Sequence, residues 1–216
     1  MTPALSTTSP ATGGRPTGIA DSSGCSPSFD SSNSSNSSNS SDSSRPSRPS
    51  DAEFTELSTY SRLLDLLATT PAAYRTICHV PEGNTALASE LRGHPLEQAA
   101  KSIVIRAKRT KQDGGGRYAL AVVPGDRRVD LDAVGRALGS NRVGFADRTT
   151  AERLSGCVSG SIIPFSFHPD LELLVDHDLL AHSHLYFNAA RLDRSIELCT
   201  AVYRTLAQPQ VLAIAA

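Results

Sequence analysis

Residues 31–50 read SSNSSNSSNSSDSSRPSRPS, a run without one apolar side chain. Ordering a backbone costs roughly 1–2 kcal/mol per residue, and a segment with nothing to bury cannot offset that. The same Ser, Asn, Pro, Gly and Thr bias reaches back to the first residue. Residues 1–52 are therefore expected to form a disordered tail, and 53–216 one folded domain of ordinary size. The opening MTPALSTTSPATGG has neither the basic start nor the apolar stretch of a secretory signal. No apolar run approaches the ~20 residues that cross a bilayer. Cys25, Cys78, Cys157 and Cys199 are scattered without a CxxC pair, which fits a reducing compartment. A cytoplasmic protein with no membrane association is the expectation.

Within the folded part, helical and extended patterns alternate over short distances. FTELSTYSRLLDLLATT (54–70) repeats its apolar residues on one helix face. NTALASELRG (84–93) and DLDAVGRALG (130–139) each carry a capping residue in front and a glycine stop behind. TTAERLSG (149–156) shows a capping box, with Glu152 three residues after Thr149. YRTICHV, SIVIRAK, RYALAVV, RVGFA, LELLVD, HLYFNA and SIELC read as strands, the second and third joined across KQDGGG as a hairpin. TAVYRTLA closes the chain as a helix before Pro209. No long βα repeat is present. The pattern predicts an α+β fold with a mixed, largely antiparallel sheet surrounded by short helices.

Three features carry chemical interest. In LEQAAKSIVIRAK (96–108), Lys101 shares a strand face with Ile103, Ile105 and Ala107, while Ser102, Arg106 and Lys108 alternate to the other side. A lysine on the apolar face either snorkels to water or faces a ligand cavity. Net charge is −1, which alone disfavours a nucleic-acid partner, but residues 101–128 hold eight basic against two acidic residues, a local +6. That cluster suits either a solvated hairpin or phosphate contact. GCVSGSIIPFSFHP (156–169) contains Gly160 and Pro164 in a G-x-x-x-P arrangement. Between them the N–H groups of Ser161, Ile162 and Ile163 can converge on an ester carbonyl or a developing oxyanion. His177, His182 and His184 cluster without any familiar zinc spacing, and no GxSxG elbow exists, so neither a metal nor a serine triad is expected.

GHPLEQAAKSIVIRAK, then GCVSGSIIPFSFHPDLELLVDHDLL, then YFNAARLDRSIELC, occur in that order and resemble the YbaK/prolyl-tRNA synthetase-associated editing domain. The likeness is greatest to its free-standing YeaK-like branch and runs from about 58 to 213. It implies a YbaK-like editing-domain fold and a metal-independent, cofactor-free aminoacyl-tRNA deacylase. Such an enzyme hydrolyses the ester of mischarged tRNA in trans, on a small amino acid such as Ser, Thr or Ala. The family's functional lysine maps to Lys101, and its loop to Gly160, Ser161, Ile162, Ile163 and Pro164. Ala190 stands where a glycine is common in the family. His168 and Asn188 are candidates for pocket polarity, and Arg106 and Lys108 for contact with the substrate. The implied partner is the 3′ acceptor end of mischarged tRNA, with an aminoacyl-tRNA synthetase as an optional second. Two rival functions fit the same residues: a non-catalytic binder of tRNA ends or aminoacyl compounds, and a hydrolase of another small acyl ester.

Overall fold

The computed structural model describes residues 51–70, 73–108 and 116–216, with side chains from residue 58 onward. The expected tail, and most of the connection across KQDGGG, lie outside the described residues.

Among the described residues, five helices and eight strands follow one another as α1 (Asp51–Ala68), β1 (Tyr74–Cys78), α2 (Thr85–Arg92), β2 (Ala100–Ala107), β3 (Arg117–Pro124), α3 (Leu131–Leu138), β4 (Val143–Phe145), α4 (Arg148–Ser155), β5 (Leu171–Asp176), β6 (His184–Arg191), β7 (Arg194–Cys199), α5 (Thr200–Ala207) and β8 (Gln210–Leu212). Short 3-10 turns span Leu96–Gln98 and Leu179–Ala181. Among the described residues the strands form two sheets, in the α+β architecture of mixed, largely antiparallel pairing with short helices that the pattern predicts. One has the order β1-β7-β6 and the other β4-β2-β3-β5-β8. Pairing is antiparallel except that β5 runs parallel to both β3 and β8, which makes the larger sheet mixed. β8 had no counterpart in the sequence reading.

Local signals account for the helix ends. Asn84 and Asp130 accept backbone N–H groups at the starts of α2 and α3, and Gly93 and Gly139 end them in the left-handed region. The start of α4 departs from expectation. Asp147 caps it, accepting the Thr150 N–H at 2.9 Å, so the Thr149–Glu152 box is not formed. Glu152 instead accepts from Arg148 Nε at 2.8 Å and from the N–H and hydroxyl of Ser159 at 2.9 Å. Those bonds, Arg148 first, hold its carboxyl below the usual carboxylate range.

β2 and β3 pair along their whole length, with Lys101 opposite Val123 and Ile105 opposite Ala119. Both of their faces are covered. Ala100, Val104, Leu120 and Val122 face a core with Leu63, Leu67, Ile163, Phe165, Phe187 and Tyr203. Ile105, Ala107, Ala119, Ala121 and Val123 face a second core with Val134, Leu138, Leu174 and Ile214. Central strands buried on both sides read as continuous apolar runs rather than alternation. Ser102, assigned to an outward face by simple alternation, therefore points to the first core's side with Ala100 and Val104.

β6 and β7 pair regularly up to Asn188–Ser195, then shift register before Arg191–Arg194. Ala190 lies within this irregularity, fully buried, with φ 58°. The left-handed region costs an L-residue roughly 1–2 kcal/mol, a cost that glycine would not carry.

Candidate active site

Where the two sheets approach, a small cavity of about 70 Å³ opens. Gly83 and Arg92 border it from either end of α2, Lys101 and Ser102 from the start of β2, Gly160 and Ile162 from the loop after α4, and Phe187 and Asn188 from β6. Residues from four separate parts of the chain thus meet in one place.

The loop 157–164 is clamped at successive points. Ser159 is tied to Glu152 through its N–H and its hydroxyl. Gly160 presents its carbonyl to Asn188 Nδ2 at 2.8 Å. Ser161, fully buried, returns its N–H and its hydroxyl to Val158 O at 3.0 Å each. Pro164 O accepts the buried Tyr203 hydroxyl at 2.7 Å, and Tyr203 also meets the Phe165 ring edge-on. Burial without a charge partner raises the Tyr203 phenol far above its ordinary range, so it stays a neutral donor. Gly160 adopts φ +92°, and a Cβ there would lie 2.9 Å from Gly83 Cα and 3.2 Å from Gly83 O. Glycine is required at 160 by both its backbone angle and this close approach.

The five-residue loop segment therefore divides by use. Ser161 does not offer a free N–H, because Val158 takes it. Ile163 and Pro164 point into the core, with Ile163 1% exposed. Among the described residues no acceptor takes the N–H groups of Ile162 or Ile163, and Ile162 borders the cavity.

Lys101 reaches the cavity margin, but its ammonium is turned to the carbonyls of Gly125, at 3.1 Å, and Arg127. Strand alternation puts its side chain on the face opposite Ser102, toward the β3–α3 turn. Lys101 thus borders the same cavity as Gly160 and Ile162, with its ammonium hydrogen-bonded to the turn. Two of its three N–H groups are occupied by the turn. Burial pushes its pKa below the ordinary lysine value, with Asp126 opposing and Arg128 adding to the shift.

Asn188 lines the cavity, yet its hydrogen-bonding capacity is filled. Nδ2 donates to Glu82 O and Gly160 O at 2.8 Å, while Oδ1 accepts from Arg92 Nη2 and from Ser195 Oγ. It joins the loop, the β1–α2 connection and β7, and has nothing left for a ligand. His168 stands apart from the cavity lining; its Nδ1 accepts the Asp170 N–H at 3.2 Å inside the turn before β5. Arg106 and Lys108 also lie elsewhere. At about 3.3 Å per residue they sit roughly 17 and 23 Å along β2 from Lys101, where they line an open groove with Arg142 and the exposed Phe145. Arg92 and Ser102 were not anticipated as site residues. One is the last residue of a helix and the other an ordinary strand serine, and no local pattern distinguishes either.

One group of potential metal ligands occurs among the described residues, Asp176, His177 and Asp178. Asp176 is already engaged, accepting the N–H groups of Asp178, Ile214 and Ala215. No helix among the described residues is long and apolar enough to cross a membrane.

The Multifunctional Ser/Thr-tRNA deacylase ProXp-y of Escherichia coli (strain K12) is 37% identical to this chain over 154 residues, 71% of this chain and 90% of that protein. Its counterpart in Escherichia coli O157:H7 is equally similar. Two solved structures share the fold at low identity. A candidate trans-editing enzyme for prolyl tRNA synthetase matches with TM-score 0.61 and 19% identity, over 73% of this chain and 97% of that one. A hypothetical protein matches with TM-score 0.63 and 20% identity, over 72% and 99%. The model of the aminoacyl-tRNA editing domain family matches residues 79–206. That span contains the cavity, its clamped loop and Lys101, and the chain belongs to the aminoacyl-tRNA editing domain family.

Proposed function

We propose that this protein is a trans-editing deacylase that hydrolyses the ester of mischarged tRNA carrying serine or threonine. The observation that carries this reading is a small polar cavity beside a loop clamped at 159, 160, 161 and 164, whose N–H at Ile162 has no acceptor among the described residues. Such a donor, held in place before substrate arrives, suits a carbonyl oxygen that gains negative charge. Family membership and the name of the Escherichia coli relative support the same reading.

The acyl carbonyl accepts from the loop while water attacks the carbonyl carbon. A new C–O bond forms, the ester C–O bond to the ribose breaks, and the water's proton passes to the departing ribose oxygen, with the adjacent ribose hydroxyl as relay. The products are the free amino acid and a tRNA with its terminal hydroxyl restored. Placement and oxyanion stabilisation are what an activated ester needs. Lys101, with one N–H unclaimed, holds a phosphate or ribose oxygen of the terminal adenosine at the cavity margin. Size exclusion at this small cavity admits serine and threonine side chains and turns larger ones away. Asn188 positions the loop and does not touch substrate. Arg106 and Lys108, too distant for the ester, contact phosphates farther along the acceptor arm.

Turnover on a panel of mischarged tRNAs tests the reading. The expected result is release of serine and threonine from tRNA, with affinity falling steeply as salt rises. Binding without turnover would replace it with a non-catalytic binder. Equal turnover of small acyl esters lacking tRNA would replace it with a general esterase.

A further inference from the structure

The cavity loop is tied to a histidine that lies outside the cavity lining. Asn188 Nδ2 donates to Gly160 O and Glu82 O, each at 2.8 Å. Carbonyls only accept, so these two bonds fix which end of the amide is nitrogen. Oδ1 then faces Ser195 Oγ at 3.0 Å and the Arg92 guanidinium. Ser195 is held in the middle strand of its sheet, between Ile77 of β1 and Asn188 of β6. His79, one residue past β1, places Nε2 at 2.7 Å from the same Ser195 hydroxyl oxygen. Its Nδ1 lies 2.7 Å from Val80 O. His79, Ser195, Asn188 and Gly160 thus form one chain, with links of 2.7, 3.0 and 2.8 Å.

Counting hydrogens shows what that chain requires. Val80 O only accepts, so His79 Nδ1 carries a hydrogen. In a neutral imidazole Nε2 is then a bare acceptor. Asn188 Oδ1 is an acceptor as well, and the Ser195 hydroxyl between them has one hydrogen to give. Ser195 is fully buried, so bulk water cannot supply a second. One acceptor goes without, and where it is Oδ1, two oxygens meet lone pair to lone pair. An imidazolium removes the conflict. Nε2–H donates to Ser195 Oγ, Ser195 donates to Asn188 Oδ1, and Asn188 donates to both carbonyls.

The charged groups on the surrounding elements are engaged elsewhere. In the β6–β7 turn, Asp193 accepts from Arg191 at 2.9 Å and from Arg194 at 2.8 Å, and its carbonyl accepts the His79 N–H at 3.2 Å. Ahead of α2, the Glu82 carboxylate accepts the Asn84 N–H at 2.6 Å. Arg92, at the end of α2, donates to Asn188. Cys78 precedes His79 and pairs with Arg194 across the β1–β7 ladder. Among the described residues the partners of the His79 ring are Val80 O and Ser195 Oγ.

We infer that His79 and Ser195 are positioning residues for the cavity loop, and that a proton on His79 tightens the hold of Asn188 on Gly160. The effect on rate rests on the deacylase reading, in which the oxyanion donor at Ile162 follows closely on the Gly160 peptide. Histidine is the side chain that changes charge between pH 5 and 8. One net hydrogen bond is worth roughly two- to tenfold in an equilibrium, and that is the size of effect expected on kcat.

The test measures single-turnover release of serine from seryl-tRNA between about pH 5.5 and 8.5 for the wild type, Ser195→Ala and His79→Gln. The Asn188 side-chain amide signals of the wild type are followed by NMR over the same range. Ser195→Ala cuts the chain, whereas glutamine at 79 offers a donor that does not titrate. Ratios between proteins cancel the pH dependence of ester hydrolysis itself. The ratio of wild type to Ser195→Ala should rise two- to tenfold from the alkaline to the acid end, and the ratio of His79→Gln to Ser195→Ala should stay flat. If Ser195→Ala does not fold, the ratio of wild type to His79→Gln carries the test and should fall two- to tenfold toward alkaline pH. Ratios independent of pH overturn the inference, and so does an Asn188 amide signal that does not move across the range. A wild type that releases no serine overturns the deacylase reading instead, and the Asn188 signal then decides the positioning role by itself.

Discussion

Asn188→Asp changes one atom of the network that holds the cavity loop. Nδ2 donates to Glu82 O and Gly160 O, each at 2.8 Å. A carboxylate puts oxygen against both carbonyls and donates to neither; a carboxylic acid donates to only one. Each buried carbonyl left unpaired costs about 1–3 kcal/mol, whereas the stronger bond that a carboxylate makes to Arg92 returns about 1.5–3 kcal/mol. The two carbonyls together cost about 2–6 kcal/mol, so the net loss is about 0.5–3 kcal/mol. At about 2–4 °C per kcal/mol for a domain of this size, Tm should fall by roughly 1–12 °C. The rate should fall further than stability alone requires, because Gly160 loses the bond that fixes its peptide, and a displacement near 1 Å can cost ~100-fold. Differential scanning calorimetry and single-turnover deacylation measure the two effects. A positioning role predicts a lower kcat with KM for tRNA little changed. A variant with wild-type Tm and wild-type kcat would refute the claim that Asn188 holds the loop.

Gly160→Ala should cut deacylation at least tenfold and lower Tm, because its Cβ would meet Gly83 Cα at 2.9 Å with φ at +92°; an active, undisturbed variant would show that the loop tolerates a shift. Ala190→Gly should stabilise the protein by about 0.5–1 kcal/mol in urea unfolding, since φ 58° is strained for alanine and natural for glycine; a loss of stability would contradict that. Lys101→Ala should abolish deacylation while circular dichroism stays native, and retention of most activity would rule out its role. Arg106→Ala and Lys108→Ala should each weaken tRNA binding and reduce the salt slope by about 0.7–0.9 without altering amino-acid preference; filter binding across a salt series checks this.

Much of the secondary structure was legible because its causes are local. Asn84 with Gly93, and Asp130 with Gly139, bound α2 and α3 as the capping residues predict. The β2–β3 pairing follows from two apolar runs. The α4 start was misread because two acceptors competed. Asp147 lies nearer the first turn, and Glu152 is drawn away to Arg148 and Ser159. β8 escaped because its three residues gain meaning only from β5, some 35 positions earlier in the chain.

The sequence by itself determined which segments could pack, where helices begin and end, and which family the three ordered blocks resemble, since these depend on neighbours within a few residues. Only the tertiary structure decided the site. It turned the Lys101 ammonium to the Gly125 and Arg127 carbonyls, moved His168 off the cavity, filled every bond of Asn188, and brought Arg92 and Ser102 in with polar atoms unmatched. Hydrogen-bond saturation and burial on both faces of a strand are set by partners up to a hundred positions away, and no periodicity in a linear chain carries that information.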